Sequence, residues 1–283
     1  MLQVERTGLK PEVIVAGEVP MPHGYVFRPE GGSSLTRFAA ALRPGGESLR
    51  APLLAFVVRH PSAGTLLIDT GLHPDASESL RRDFGVGMSL LFRGLRPAEE
   101  AFEDQLRRLE VEPGEVRRVV MTHLHVDHTS GMRLLPEAEF LCTQAEWKAA
   151  TRRSAAGRGY VAHHLPFESR MDLVDFDRDG EPHGPFSRTI DLLGDGSIRL
   201  ISTPGHTPGH LSVLLDVGAG PQVLVIGDAV YTLRSLREEI LPLLTVDDGA
   251  YLRSLREIKA FAESAPDATL VPTHDPAAWR DIG

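Results

Sequence analysis

The segment Thr122-His123-Leu124-His125-Val126-Asp127-His128 packs three imidazoles and a carboxylate into one short stretch. His123 and His125 lie two residues apart, so in an extended chain both project to the same side and can grip one ion. Asp127 and His128 fall where the chain turns into a helix, which aims them at a second point nearby. Neutral imidazole and carboxylate without thiolate suit Zn, Mn, Fe or Co rather than Cu(I) or an iron–sulfur cluster. A solvated His-rich loop that binds nothing would leave matching residues at other strand ends unexplained. Thr203-Pro204-Gly205-His206-Thr207-Pro208-Gly209-His210 breaks a second strand with Pro and Gly and presents another imidazole. Ile226-Gly227-Asp228 then offers a carboxylate, and Pro272-Thr273-His274 a further imidazole.

The elements that must position these groups can be read around them. Pro52 to Asp69 holds two apolar runs split by Pro61-Ser62-Ala63-Gly64, which predicts a hairpin. Asp83 to Leu95 is apolar but glycine-broken and reads as a flap or loop. Pro97 to Glu110, with Phe102, Leu106 and Leu109 at helical spacing, reads as an amphipathic helix. Strands are expected at Val116–Met121 and Glu139–Thr143, the latter followed by a helix over Gln144–Ala155. Residues 157–187 read as long loops. Thr189 to Thr203 reads as a hairpin turning at Gly194-Asp195-Gly196. Leu211–Leu215, Val223–Ile226 and Thr269–Pro272 read as strands, and Asp248–Ala262 as a charged helix. Strand groups each followed by a helix suggest two sheets face to face with helices outside.

Taken together, these strand ends and motifs resemble the metallo-β-lactamase superfamily, from Leu67-Ile68-Asp69-Thr70-Gly71 to His274. The resemblance implies an α/β fold, an αββα sandwich of two mixed sheets with outer helices, formed as one domain over residues 1–283. It implies that His123, His125 and His206 hold one metal, that Asp127, His128 and His274 hold a second, and that Asp228 bridges them. It further implies that Asp69 orients a ligand loop without binding metal. Two divalent cations, with Zn2+ the first expectation and Mn, Fe or Co as alternatives, would activate a bridging water as hydroxide near neutral pH. Tyr231, three residues past Asp228, matches the offset of a substrate-binding tyrosine in the N-acyl homoserine lactonases of the superfamily. Val126 stands where that branch often has Phe.

The implied function is a lactone or carboxylic ester hydrolase acting on a moderately hydrophobic small molecule, with Tyr231 holding the oxyanion and Asp127 returning a proton to the leaving group. Rivals are a glyoxalase II-like thioesterase and a phosphotriesterase or arylsulfatase-like hydrolase. His210 reads as a supporting or strand residue, Cys142 as a buried small hydrophobe, and His163, His164 and His183 as solvent-facing loop residues. Phe84, Met88, Leu91 and Phe92 read equally as a substrate channel, a helical cap or a homodimer contact.

Composition narrows the partners. The 283 residues are 42% hydrophobic and 24% charged, which excludes disordered and collagen-like chains. Lys and Arg number 30 against 39 Asp and Glu, a net charge of −9 that repels phosphate backbones and anionic lipid. Nucleic acid and membrane are therefore not expected partners. One cysteine permits no intramolecular disulfide, and the start MLQVERTGLKPEVIVAG lacks the apolar block of a signal peptide, so a cytoplasmic setting is expected.

Overall fold

The run Pro52-Leu53-Leu54-Ala55-Phe56-Val57-Val58 is apolar at every position, the pattern of a strand covered on both faces. The computed structural model, which describes residues 9–31, 33–41, 46–216, 218 and 220–282, shows why. Leu54, Phe56 and Val58 point into a core shared with Leu200, Val213, Val225 and Val271 of a second sheet. Ala55 and Val57 point the other way, into a core shared with helical Phe102, Leu106 and Ala150. The two-residue period of a strand thus writes two packing layers into one run.

The first sheet contains β1 (Glu12–Pro22), β2 (Ser48–His60), β3 (Gly64–Ile68), β4 (Arg96–Pro97), β5 (Arg118–Val120), β6 (Glu139–Thr143) and β7 (Met171–Val174). Its order is β4-β1-β2-β3-β5-β6-β7, antiparallel through β3 and parallel from β3 to β7. The second contains β8 (Glu181–His183), β9 (Phe186–Asp191), β10 (Ile198–Ser202), β11 (Leu211–Leu215), β12 (Val223–Gly227) and β13 (Thr269–Pro272). Its order is β13-β12-β11-β10-β9-β8, with only the β12–β13 pair parallel. Both sheets are mixed, as the αββα expectation required.

Helices flank the pair. They are α1 (His23–Val26), α2 (Ser34–Ala41), α3 (Pro74–Glu78), α4 (Leu80–Leu91), α5 (Phe102–Arg108), α6 (Val126–Thr129), α7 (Gln144–Ala150), α8 (Phe176–Asp179), α9 (Leu233–Glu238) and α10 (Asp248–Ser264). The Asp247 carboxylate caps α10 by accepting from the Ala250 N–H. The buried stripe Tyr251, Leu255, Ile258 and Phe261 lies on Ile201, Leu214 and Leu224 of the second sheet. Each such side chain contributes about 1.5–3 kcal/mol of burial. A further cluster lies at one end of the first sheet, where Val19, Met21, Val26, Phe84 and Phe92 meet Val126 and Tyr231.

Three expectations are corrected here. Residues 83–95 are not a flap: α4 takes up 83–91, broken at Gly85, whose φ of 73° needs a glycine, and a turn follows over 92–95. The helix expected from Pro97 starts at Phe102, because Arg96 and Pro97 instead pair with Gly17 and Glu18 on the open side of β1. Residues 157–187 contain β7, β8 and α8, which are too short to show a period. Residues 1–8, the first part of the stretch in which no signal peptide is expected, lie outside the described residues. No helix among the described residues is long and apolar enough to cross a membrane.

Candidate active site

Five strands stop at the same edge of the sandwich, and each is followed by one part of the site. Asp69 follows β3, His123 to His128 follow β5, His206 follows β10, Asp228 follows β12 and His274 follows β13. His123, His125 and His206 bring donor atoms close enough to share an ion, as do Asp127, His128 and His274. Asp228 joins His123 and His128 in a third such group between the other two. Its Oδ2 lies 3.1 Å from His274 Nε2 and 3.4 Å from His206 Nε2, while Oδ1 lies 3.5 Å from His128 Nε2.

Whether these side chains suit metal can be judged from their unmet bonds. His123 Nε2, His128 Nε2 and Asp228 Oδ1 are buried and make no hydrogen bond, although buried polar atoms are almost always paired. All three converge on the same cluster, and an N/O donor set of this kind fits borderline divalent cations. Burial, and then repulsion from neighbouring imidazoles, holds His123 well below the usual imidazole range, and burial brings His125 down to about 4. Burial likewise depresses His206. Neutral imidazoles are the form that binds metal. On the other side, burial opposes charge on His128, yet Asp69, Asp127 and Asp228 outweigh it and lift that imidazole well above its usual range.

A layer of buried bonds fixes the ligand loops. Asp69 adopts a left-handed backbone (φ 56°) that turns its carboxylate under the loop after β5. It accepts from the Thr122 N–H and Thr122 Oγ1, both at 2.7 Å, and meets His128 Nδ1 at 2.8 Å. His210 does the same for Asp228: its Nε2 accepts from the Asp228 N–H at 2.9 Å, so the proton sits on Nδ1, facing Thr203 Oγ1. That hydroxyl passes the chain on to Ser212 Oγ, which donates to the Ile226 carbonyl. Burial lowers His210 to about 3, in keeping with this neutral form. His210 is therefore a supporting residue, as expected. Gly227 beside it has φ 65°, and a Cβ there would come within 2.7 Å of His210 Nε2.

Glu146 is not among the residues that the sequence singles out. Fully buried at the start of α7, it accepts from the Leu124 N–H (3.0 Å), the Gly209 N–H (3.1 Å) and the Tyr160 hydroxyl (3.1 Å). One carboxylate thus ties the β5 ligand loop to the β10 ligand loop. The signal was present as Thr143-x-x-Glu146, a helix-start pattern in which Thr143 caps the Glu146 N–H. Cys142 is buried, as expected. His163 and His183 are exposed as expected, but His164 is 1% exposed and bonds to Thr129 and Asp83, which corrects its solvent-facing reading.

Above the cluster opens a cavity of about 380 Å³. His125, Asp127, His206, Asp228 and His274 form its floor, and Tyr231 stands at its side. The Tyr231 ring packs edge-on to His274 and His206, and its hydroxyl lies 3.5 Å from His206 Nδ1. Tyr25 stacks on it, 6.3 Å between centroids. Met21, Met88, Leu91 and Phe92 make an apolar wall, and Arg158 sits on the rim. The residues 83–95 thus serve as a wall of this cavity, while Phe84 packs beneath it against Phe92.

Known proteins agree with this architecture. Residues 52–274 match the family model of the metallo-beta-lactamase superfamily. The chain is 32% identical over 242 residues to the N-acyl homoserine lactonase AttM of Agrobacterium fabrum, covering 84% of this chain and 87% of that protein. It is 25% identical over 222 residues to the N-acyl homoserine lactonase AiiA of Bacillus thuringiensis subsp. kurstaki, covering 78% and 80%. Among solved structures, an N-acyl homoserine lactone hydrolase with N-hexanoyl-L-homoserine at its catalytic metal centre superposes with a TM-score of 0.73 at 22% identity, over 97% of this chain and 96% of that one. AidC, a dizinc quorum-quenching lactonase, superposes with a TM-score of 0.61 at 13% identity, over 96% and 92%. The chain belongs to the metallo-β-lactamase superfamily of metal-dependent hydrolases, in the branch that contains the N-acyl homoserine lactonases.

Proposed function

We propose that this chain is a lactonase that opens the ring of N-acyl homoserine lactones or close relatives, as one hydrolase domain over residues 1–283. The observation that carries the reading is Tyr231, whose hydroxyl stands beside the imidazole–carboxylate floor of an apolar-walled cavity. His123, His125 and His206 would hold one divalent ion and Asp127, His128 and His274 a second, with Asp228 between them and Zn2+ the favoured metal. When bound, such ions supply an acidified water as nucleophile and Lewis-acid polarisation of the carbonyl.

The chain's own groups do the rest. Tyr231 donates to the carbonyl oxygen as negative charge grows there. Burial, with the nearby Tyr25, raises its pKa well above the ordinary phenol range, so it stays a donor. Asp127, on the cavity floor, is placed to take the proton given up by the attacking water and to hand it to the alkoxide released from the ring. The apolar wall of Met88, Leu91 and Phe92 takes the acyl chain and keeps it from water. The relatives' lactonase names and the AttM likeness over most of both chains support this over the thioesterase and phosphotriesterase rivals.

Steady-state kinetics on an acyl homoserine lactone, an acyl thioester and an aryl phosphotriester test the proposal. The lactone should show the highest kcat/KM. A higher value on either of the others would overturn it.

A further inference from the structure

Asp83 is fully buried near the start of α4 and has no part in the proposed chemistry. Ser130 Oγ and Arg133 Nη2 both donate to it. His164 Nε2 lies 3.1 Å from its Oδ1 and 3.0 Å from its carbonyl oxygen; both are acceptors, so this nitrogen carries a proton and donates. The other imidazole nitrogen of His164 lies 3.0 Å from Thr129 Oγ1, and Thr129 donates to the His125 carbonyl. Ser130 Oγ also accepts from the His73 N–H, and Arg133 reaches on to Asp75.

Asp83 with His163 and His164, or with His73 and Asp75, could geometrically hold an ion. The Arg133 guanidinium already occupies the carboxylate, so the cation of this cluster is a side chain. What the cluster joins is more telling. Thr129, Ser130 and Arg133 continue directly from the segment that bears Asp127 and His128. Asp83 and its neighbour Phe84 begin the helix that carries Met88, Leu91 and Phe92 into the cavity. Phe84 packs edge-on to both Phe92 and His164. Beyond this pin Gly85 interrupts the helix, and Val86 and Leu90 on its outer side are exposed.

We propose that Asp83 and His164 are positioning residues for substrate selection, a buried polar pin that fixes the apolar wall over the ligand-bearing segment and so sets which acyl-chain lengths bind. The inference rests on the lactonase reading for the identity of the chain. A charge buried against a guanidinium, an imidazole and a hydroxyl has few alternative arrangements, whereas an apolar contact slides at little cost. The polar pin therefore specifies the register that the methionine and leucine wall cannot specify for itself.

The test compares wild type, Asp83→Asn and His164→Gln, each loaded with metal, on butanoyl and decanoyl homoserine lactones. Metal content and hydrogen exchange of residues 84–92 are measured alongside. For both variants KM for the decanoyl substrate should rise roughly tenfold, as if about two methylenes lost contact. KM for the butanoyl substrate, kcat and metal content should stay within about threefold, and exchange over 84–92 should quicken. A merely structural role would lower active protein for both substrates alike, and that result, or unchanged KM values with unchanged exchange, overturns the pin. Should Asp83→Asn fail to fold, His164→Gln decides alone. Wild-type protein that turns over no lactone sinks the lactonase reading, and the exchange rates then judge the pin by themselves.

Discussion

The floor and the wall of the cavity are built on different physics. The floor hangs from five strand ends, and its loops are locked by buried carboxylates: Asp69 under His128, and Glu146 between the β5 and β10 loops. The wall is made of apolar side chains from the end of β1, from α1 and from α4, and it meets the floor through apolar contacts with Val126 and Tyr231 and a few polar bonds. Ordered sheets dictate where the floor's imidazoles meet; nothing as rigid dictates the wall. The floor should therefore govern whether reaction occurs, and the wall which molecule reacts.

That contrast can be broken in order of expected effect. Tyr231→Phe should lower kcat by roughly 10–1000-fold with a much smaller change in KM, because its bond is made as oxyanion charge develops. Phe keeps the packing against His206 and His274, so a normal kcat with a lowered melting temperature would move Tyr231 from the floor's chemistry to the wall's packing. Asp69→Asn should weaken metal affinity or activity by about 10–100-fold without unfolding the chain. Metal binding and rates identical to wild type would show that the floor does not need its supporting carboxylate. Leu91→Ala on the wall should raise KM for long-chain substrates by roughly 3- to 20-fold and leave kcat nearly unchanged. A comparable fall in kcat instead would erase the distinction between the two regions.

The smallest effect concerns the tether of the wall. Arg28, just after α1, bonds Asp248 at the start of α10 and the Pro242 carbonyl, which ties α1 and its Tyr25 to that helix. The Arg28 guanidinium lowers Asp248 to about 2 from a usual 3.8, against partial burial. A depressed folded pKa stabilises above the unfolded value, so the tether is complete above about pH 4 and is lost as pH falls toward about 2. Asp248 is largely exposed, so its contribution is about 1 kcal/mol or less. Acid titration of stability should thus show a small loss in that window that Asp248→Asn abolishes; an equal loss in the variant would assign the acid sensitivity elsewhere.

The same contrast explains what is legible in the sequence. β6, β11 and β13 have the bounds their residues predict, because apolar runs bounded by Gly and Pro carry their own signal. The seven candidate ligands are legible because each lies shortly after such a strand. Asp83 to Leu95 is not, since its three glycines mask the helical spacing of Phe84, Met88, Leu91 and Phe92, and its buried Asp83 is paired by residues distant in sequence. His164 looks like a loop residue for the same reason: its burial comes from Thr129 and Asp83, distant in sequence. Glu146 escapes notice because an acidic residue at a helix start ordinarily faces water, and only the approach of the Leu124 and Gly209 amides makes it a clamp.

The central claim is that the strand-end floor holds two ions, and counting them tests it most directly. Elemental analysis of the purified, reconstituted protein should give about two divalent ions per chain, falling sharply in the Asp228→Ala, His274→Ala double variant while the melting curve stays cooperative. Fewer than one ion in the wild type, or an undiminished count in the double variant, would contradict it.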